Sequence, residues 1–283
     1  MLLFAIQGLS TASWVAGIPA IREDLGMTTG SMAVLVATYS VGSILGILVS
    51  GRLLGRLGSR VTISGAATTM AIALGALGGA IDLLHSFPVT LAALLVLGAG
   101  TGVCNVAVNV NGAANERALG VSTLPRLHAC YSVGMVVGAG IGALVLGAGL
   151  PIAVILGGAG TFVLAIGVAG TRLLPAEPPT TGAAAASSMR RRSGPRDWLD
   201  RRTVLIAALA VGMTLAEGSA NDWLSLAVVR GHGLHNATGA AMFGLFAACM
   251  LTGRALGHRA TDRFGRSRCC GCPRPWWSSG WSW

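Results

Sequence analysis

Between residues 51 and 60 the chain reads Gly51-Arg52-Leu53-Leu54-Gly55-Arg56-Leu57-Gly58-Ser59-Arg60. This stretch, called the basic turn below, separates two apolar segments, residues 32–50 and 61–81. Each segment has the length of about 20 residues that a helix needs to cross a bilayer. The short separation predicts a tight hairpin. The arginines predict that the hairpin lies on the cytoplasmic face, where basic loops are retained.

The composition is typical of a membrane protein. Of the 283 residues, 53% are hydrophobic and 11% are charged, and the formal net charge is +10. The apolar residues occur in blocks of about 20 with almost no charge, which indicates transmembrane helices. The arginines lie in alternate short loops and form no continuous basic face, so we expect no nucleic-acid partner. The sequence therefore predicts an all-α, polytopic membrane protein.

The apolar blocks predict eight spans, at about 2–20, 32–50, 61–81, 89–111, 130–148, 152–171, 204–228 and 238–256. Most arginines lie in loops 51–60, 112–128 and 172–203 and in the tail after the eighth span. The other loops, 21–31, 82–88, 149–151 and 229–237, contain only Arg22 and Arg230. The positive-inside rule therefore predicts a multi-pass protein with both termini in the cytoplasm.

The chain repeats its plan once. A second basic stretch, residues 257–268, follows the eighth span as the basic turn follows the second. Between the halves lie several prolines, a run of Ala and Ser, and three consecutive arginines, a composition typical of a flexible linker. We expect an N-terminal six-helix bundle over 1–172, a cytoplasmic linker over 173–203, a partial second bundle of two helices over 204–268, and an aberrant tail over 269–283.

Both basic stretches resemble the G-x-x-x-D-R-x-G-R-R signature of the major facilitator superfamily, which joins the second and third helices. The first copy carries Gly51, Arg52, Arg56, Gly58 and Arg60, and the second carries Asp262, Arg263, Gly265 and Arg266. In the family these residues form a conformational loop, and the acid engages a neighbouring helix end. Here Gly55 replaces the first acid, Ser59 replaces an arginine, and His258 replaces the second copy's first glycine. The resemblance therefore implies a weaker contact in the first copy.

The resemblance extends over residues 1–268. Around Asn105 to His128 the chain is similar to the bacterial branch that includes fucose-permease-like and uncharacterised inner-membrane members. This implies a secondary transporter with twelve helices, about eight of them present here, in a bacterial inner membrane. It also implies alternating access, with a small polar solute of the sugar type and protons as partners, in symport.

The resemblance stops after Arg268. Cys269, Cys270 and Cys272 follow, but no second ligand pair lies at a usable spacing, so we expect no metal site. We interpret the abrupt change of composition as the result of a shifted reading frame. The rival hypothesis is therefore a truncated, non-transporting fragment or a membrane interaction protein.

Span seven carries the most conspicuous polar residues. Glu217 and Asn221 are four residues apart, so they share one helix face, and Asp222 follows directly. Polar groups at membrane depth usually face a cavity or each other. A carboxyl group removed from water takes up a proton more readily, as a proton-coupled carrier requires. The alternative is that the carboxylates lie near the outer end and pair with Arg230 or with water.

Other polar residues are candidates for solute binding. Asn105 and Asn109 in span four offer uncharged donors and acceptors that suit sugar hydroxyls, and the alternative is hydrogen bonding between helices. Gln7 and Trp14 in span one are candidates for lining the same cavity. His128 is either a proton shuttle or an interfacial, solvated residue.

Two further patterns restrict the function. Gly134, Gly138 and Gly142 indicate close helix packing. The antiporter branch of the family has a proline after the second such glycine, where this chain has Ala139, so drug or metabolite efflux is a second alternative only. No nucleophile–base pair or metal-ligand set suggests an enzyme, and we expect no cofactor.

Overall fold

The computed structural model describes the backbone of residues 1–119, 124–172 and 201–264, and the side chains of 1–116, 126–172, 201 and 203–256. The described residues form helices and no strands, which confirms the all-α class. The helices are α1 (Leu2–Val15), α2 (Ile18–Asp24), α3 (Thr29–Asp82), α4 (Phe87–Leu119), α5 (Leu124–Gly147), α6 (Ile152–Arg172), α7 (Arg201–His232) and α8 (Asn236–Phe264).

Seven segments among the described residues are long and apolar enough to cross a membrane. One of them, Thr29–Asp82, has 54 residues and a break at Gly58, so it provides two crossings. The helices extend beyond the predicted spans. The predicted loop 112–128 is largely helical, and α8 continues to Phe264 into the second basic stretch. Of the predicted linker, only residues 201–203 are described, and the tail lies outside the described residues.

The first predicted span is a broken helix. Helix α1 ends at Val15, and α2 begins at Ile18 with Pro19 in its first turn. Proline fits a first helical turn because the amide hydrogen it lacks would have no helical partner there. The side chains around the break, Trp14 and Ile18, are fully buried. The segment therefore enters the core of the bundle and continues to Asp24.

The basic turn is a sharp break in a helix, not a ten-residue loop. Residues 51–57 are helical, and only Gly58 departs from helical geometry, with φ 75° and ψ 169°. In the first arm of α3, Gly42 lies against Leu95 of α4, and in the second arm Met70 lies against Gly100 of α4. Both arms pack on the same stretch of α4, so the chain reverses direction at Gly58 as predicted.

Gly58→Ala tests this break. The backbone conformation at Gly58 is essentially restricted to glycine, and other residues pay about 1–3 kcal/mol to adopt it. We expect Gly58→Ala to lower the free energy of unfolding by about that amount. Gly51→Ala is the control, because a Cβ there meets no atom within 4 Å and alanine favours a helix by up to about 1 kcal/mol. Equal unfolding midpoints for the two variants in detergent would contradict the break at Gly58.

Glycines bring α4 and α5 close to their neighbours. A Cβ on Gly98 or Gly102 of α4 would overlap the carbonyl oxygen of Tyr39 or Ser43 in the first arm of α3. A Cβ on Gly134 of α5 would overlap the carbonyl oxygen of Ala5 in α1. Gly98 and Gly102 therefore lie on a packing surface of α4, and the predicted close packing of α5 is confirmed for Gly134.

Helix α6 is tied to α3 at both ends. Arg60 Nη2, just after the break in α3, donates a 3.2 Å hydrogen bond to the carbonyl oxygen of Arg172 at the end of α6. At the other end, Asp82 Oδ2 accepts a 2.7 Å hydrogen bond from the amide of Ala153. Amide groups in the first turn of a helix lack helical partners, so Asp82 caps α6 from a neighbouring helix.

Asp82→Ala is expected to lower the free energy of unfolding by about 1 kcal/mol, the usual value of an N-terminal cap. Asp82→Asn keeps an oxygen that accepts the Ala153 amide hydrogen, so its loss should be clearly smaller. Thermal unfolding in detergent micelles measures both changes. A wild-type midpoint for Asp82→Ala, or equal losses in both variants, would contradict the cap.

The two ends of the bundle differ. We call the end with the Gly58 break and Arg172 the basic end, and the end with α2 and the α7–α8 turn the opposite end. Helix α8 packs along α5, where Phe243 is fully buried and Gly244 lies beside Ala139. Helix α7 contacts the first six helices only toward the opposite end, because the side chains of residues 203–216 are all exposed within the described structure.

Candidate functional site

One face of α7 points toward the centre of the bundle. Glu217, Asn221 and Ser225 lie four residues apart and form a polar stripe on this face. Ser225 is fully buried, and its hydroxyl donates a 3.2 Å hydrogen bond to the carbonyl oxygen of Val15 in α1. Asn221 Oδ1 is buried and has no hydrogen-bond partner among the described residues. The stripe therefore joins α7 to α1 and presents an unsatisfied amide oxygen to the interior.

Glu217 belongs to a charged cluster that joins three helices. Its Oε1 accepts a 2.8 Å hydrogen bond from Arg254 Nη2 of α8. Arg254 Nη1 donates a 2.7 Å hydrogen bond to Ser132 Oγ of α5. The guanidinium therefore links α5, in the first six helices, to α7 and α8. The predicted alternative of a Glu217–Arg230 pair is wrong, since the partner is Arg254.

His128 and Tyr131 border this cluster. Both lie close enough to Glu217 and Arg254 for electrostatic interaction, and both come from the start of α5. The His128 ring also contacts Phe4 of α1 edge-on, at a centroid distance of 5.4 Å. His128 is thus placed beside two charges, although its side chain is exposed.

A second polar group lies on α1. Gln7 is buried, and its Nε2 donates a 3.3 Å hydrogen bond to the carbonyl oxygen of Thr101 in α4. Trp14 is also buried, with its ring 4.8 Å from that of Tyr39 in α3. Asp222 of α7 lies near enough to Tyr39 for electrostatic interaction. Residues of α1, α3 and α7, from both halves of the sequence, therefore lie near Tyr39.

The asparagines of α4 pair with each other. Asn109 Nδ2 donates to the Asn105 side-chain oxygen at 2.6 Å and to the Asn105 carbonyl oxygen at 2.8 Å. Both bonds lie within α4, so the contact between Asn105 and Asn109 does not join two helices. Asn105 is exposed, and it lies one turn after Thr101, the partner of Gln7.

Three members of this arrangement were missed by the sequence analysis: Ser132, Ser225 and Arg254. Arg254 gave a signal, because it lies inside the predicted span 238–256 and a charge at membrane depth marks a functional position. The arginines of the following basic stretch, residues 257–268, lie close to it in the sequence and make this signal hard to separate. The two serines gave no signal, since isolated serines are common in transmembrane helices.

No group of three or more His, Cys, Asp or Glu residues suited to a metal ion occurs in the part of the chain that the structure describes. The predicted absence of a metal site at Cys269, Cys270 and Cys272 concerns residues outside that part. Of the described cysteines, Cys104 is buried and Cys249 is exposed.

Comparison with known families decides the classification. The family model of the Major Facilitator Superfamily matches residues 1–271. The chain belongs to the Major Facilitator Superfamily. An uncharacterised MFS-type transporter of Yersinia pestis is 30% identical over 267 residues, which are 94% of this chain and 66% of that protein. The chain therefore spans about two thirds of that relative's length. An uncharacterised transporter of Sinorhizobium fredii is 28% identical over 136 residues, 48% of this chain and 35% of that protein.

Two solved transporter structures have a similar fold. The nucleoside transporter NupG has a TM-score of 0.65 at 12% identity, and the match covers 93% of this chain and 67% of NupG. A D-xylose-proton symporter also has a TM-score of 0.65, at 14% identity, over 93% of this chain and 68% of the symporter. At these identities the likeness concerns the fold alone.

One residue of the superfamily signature in the basic turn forms a hydrogen bond with a neighbouring helix. Arg52, Arg56 and Arg60 are all exposed, and Arg60 also donates a hydrogen bond to the carbonyl oxygen at the end of α6. A neighbouring helix end is therefore contacted by an arginine of the first copy, in which Gly55 replaces the acid. In the second copy, Asp262 and Arg263 are helical, and Gly265 and Arg266 lie outside the described residues.

Proposed function

We propose that this superfamily member is a secondary transporter that moves a small polar solute by alternating access, driven by proton symport. The Glu217–Arg254–Ser132 cluster carries the proposal. Ionised groups at membrane depth are costly and occur mainly along solute or proton pathways. This cluster also spans the boundary between the first six helices and the last two, which is where superfamily-type carriers move their halves against each other.

Protonation of Glu217 provides the coupling step. The ionised carboxylate and the Arg254 guanidinium hold each other by a charge-assisted hydrogen bond, which is stronger than a bond between neutral groups. When Glu217 takes up a proton, the attraction weakens and Arg254 is free to reorient with α8. Proton binding thus changes the contact between the two halves, which a proton-coupled carrier requires.

The asymmetry of the bundle supports alternating access. At the opposite end the halves touch through Ser225 and Val15, and Asn236 Nδ2 donates a 2.7 Å hydrogen bond to Glu23 Oε2. At the basic end residues 203–216 of α7 stand away from the other described helices. We infer that the basic end faces the cytoplasm of a bacterial cell, with both termini there, so this conformation is closed to the outside.

The polar side chains predicted for the site favour a neutral polar solute. Amide groups and one indole, which carry no net charge, are supplied by Gln7, Trp14, Asn105, Asn109 and Asn221. The two structural neighbours are named for a nucleoside and for D-xylose, both small polar solutes, and one of them is named as a proton symporter. We therefore propose a sugar-like or nucleoside-like solute and a transport function in place of an enzymatic one. The first bundle of this proposed transporter consists of six membrane-spanning helices over residues 1–172.

Uptake into proteoliposomes tests the proposal. Radiolabelled D-xylose, other sugars, polyols and nucleosides are offered with and without an inwardly directed proton gradient, and saturable binding is measured in parallel. Uptake of at least one solute that rises with the gradient is the expected result. The absence of both uptake and saturable binding for every solute would contradict it and favour a membrane interaction protein.

A further inference from the structure

A polar cavity of about 380 Å³ opens at the opposite end, between α2, the end of α7 and the α7–α8 turn. It lies outside the site described above. Its polar lining consists of Arg22, Glu23, Arg230, His235 and Asn236. The cavity joins the two halves of the sequence, since Arg22 and Glu23 come from α2 and the other residues from α7 and the following turn.

The distribution of arginines makes this cavity unusual. The four loops that the sequence predicts for the opposite end contain only Arg22 and Arg230, which the structure places at the ends of α2 and α7, and both line the same cavity. Neither arginine forms an ion pair with a described residue, and Arg22 Nε is buried without a hydrogen-bond partner. Neither guanidinium is neutralised by a described carboxylate, so the lining of the cavity leaves a demand for an anionic acceptor.

The carboxylate in the lining does not meet this demand. Glu23 Oε2 accepts a hydrogen bond from Asn236 Nδ2 at 2.7 Å and is thereby held at the contact between the halves. Two guanidinium groups against one carboxylate leave an excess of positive charge in the cavity. Guanidinium groups bind carboxylates and phosphates through paired hydrogen bonds, so the chemistry of the lining selects an oxyanion.

We propose that this cavity binds a small oxyanion, carried by a carboxylate or a phosphate group, between Arg22 of α2 and Arg230 of α7. An anion bound to both would bridge the first six helices and the last two beside the Glu23–Asn236 hydrogen bond. It would therefore stabilise the conformation in which the opposite end is closed.

A simpler explanation exists for the positions of the two arginines. Arg22 lies in the last turn of α2 and Arg230 in the last turn of α7, where a cation interacts favourably with the helix dipole. That explanation accounts for each arginine alone. It does not account for their convergence on one cavity, and it makes a different prediction for Glu23.

The test measures binding of succinate and of inorganic phosphate to the purified chain in detergent, by titration calorimetry at constant ionic strength against chloride. We expect saturable binding that weakens at least about tenfold in Arg22→Gln and in Arg230→Gln, the loss of about 1.4 kcal/mol. Arg126→Gln is the matched control, because Arg126 is exposed at the basic end, and it should bind as the wild type does.

Glu23→Gln separates anion binding from a dipole effect. The variant removes the negative charge and keeps an oxygen for Asn236, so the proposal predicts tighter succinate and phosphate binding. Size-exclusion chromatography and the unfolding midpoint without anion confirm that each variant is folded. If Arg22→Gln does not fold, Arg230→Gln decides, since Arg230 is exposed. Unchanged affinity in Arg230→Gln, or no binding beyond that of chloride, would overturn the proposal.

A further arm identifies the source of the oxyanion. Short-chain phosphatidylglycerol is titrated against the same variants in place of succinate or phosphate. If the lipid binds, the soluble anions do not, and lipid binding is lost in Arg230→Gln, the site is supported and its phosphate group belongs to a membrane lipid. Lipid binding that is equal in the wild type and Arg230→Gln, without binding of either soluble anion, would overturn it.

Discussion

Gly134→Val is expected to prevent assembly of the bundle. Helix α5 lies so close to α1 that even a Cβ at Gly134 would overlap the carbonyl oxygen of Ala5 and crowd the amide of Leu9. These are backbone atoms and cannot rotate away, so the helices would have to separate. Overpacking a core usually costs about 1–3 kcal/mol, and a clash with backbone atoms of two residues of α1 should reach or exceed that upper value. Yield of monodisperse protein and thermal unfolding in detergent measure the effect.

Gly140→Val provides the matched control in the same helix. A Cβ at Gly140 meets no atom within 4 Å, and this glycine is exposed on the lipid-facing side of α5. The helix propensities of the two sites are therefore changed equally, and only Gly134 loses a helix contact. A yield and unfolding midpoint for Gly134→Val that match those of Gly140→Val would show that α1 and α5 are not packed as described.

Glu217→Gln is expected to abolish accumulation of solute against its gradient. A proton gradient of one pH unit supplies about 1.4 kcal/mol, which supports about tenfold accumulation in one-to-one symport. Glutamine keeps the size of the side chain and an acceptor for Arg254 but cannot release a proton. The accumulation ratio should therefore fall from about tenfold to about one at that gradient, while exchange of labelled for unlabelled solute continues. Proteoliposome uptake and counterflow measure the two activities.

Asp82→Asn is the control for this carboxyl-to-amide change. Asp82 caps α6 at the end of a membrane span, away from the charged cluster, and asparagine retains a cap oxygen. Gradient-driven accumulation should therefore be that of the wild type. If Glu217→Gln accumulates solute as well as Asp82→Asn does, Glu217 is not the coupling residue.

The crossings of the first half are predictable from the sequence because their apolar blocks are long and separated by charged or turn residues. The helix ends are less so. Hydropathy marks the bilayer core, whereas α4 and α8 continue as helices into the polar region, to Leu119 and Phe264. The residue at which the hairpin breaks cannot be predicted from the sequence either, since Gly51, Gly55 and Gly58 are equally able to reverse the chain. Only packing of both α3 arms on α4 selects Gly58.

The candidate site shows a different limit. The polar residues of α7 stand out because polar groups are rare in apolar spans. Their partners depend on how helices distant in sequence meet. Arg254 bonds to Ser132, 122 residues away, and to Glu217, 37 residues away. One sequence contains no information on the rotation or the vertical offset of α8 against α5, so the cluster requires the structure.

Alternating access is tested most directly by distances at the opposite end. Spin labels are attached at Leu84→Cys, in the α3–α4 turn, and at His232→Cys, at the end of α7, after replacement of the native cysteines. Both positions are exposed. A second pair, Leu84→Cys and Leu150→Cys, lies within the first six helices and is the control.

Pulsed electron paramagnetic resonance in nanodiscs then gives the distance distribution of each pair as pH and solute are varied. Alternating access predicts a longer component for Leu84–His232 whose population changes with pH or solute, and a constant distribution for Leu84–Leu150. A single, unchanging Leu84–His232 distance under all conditions, or equal changes in both pairs, would contradict rocking of the two halves.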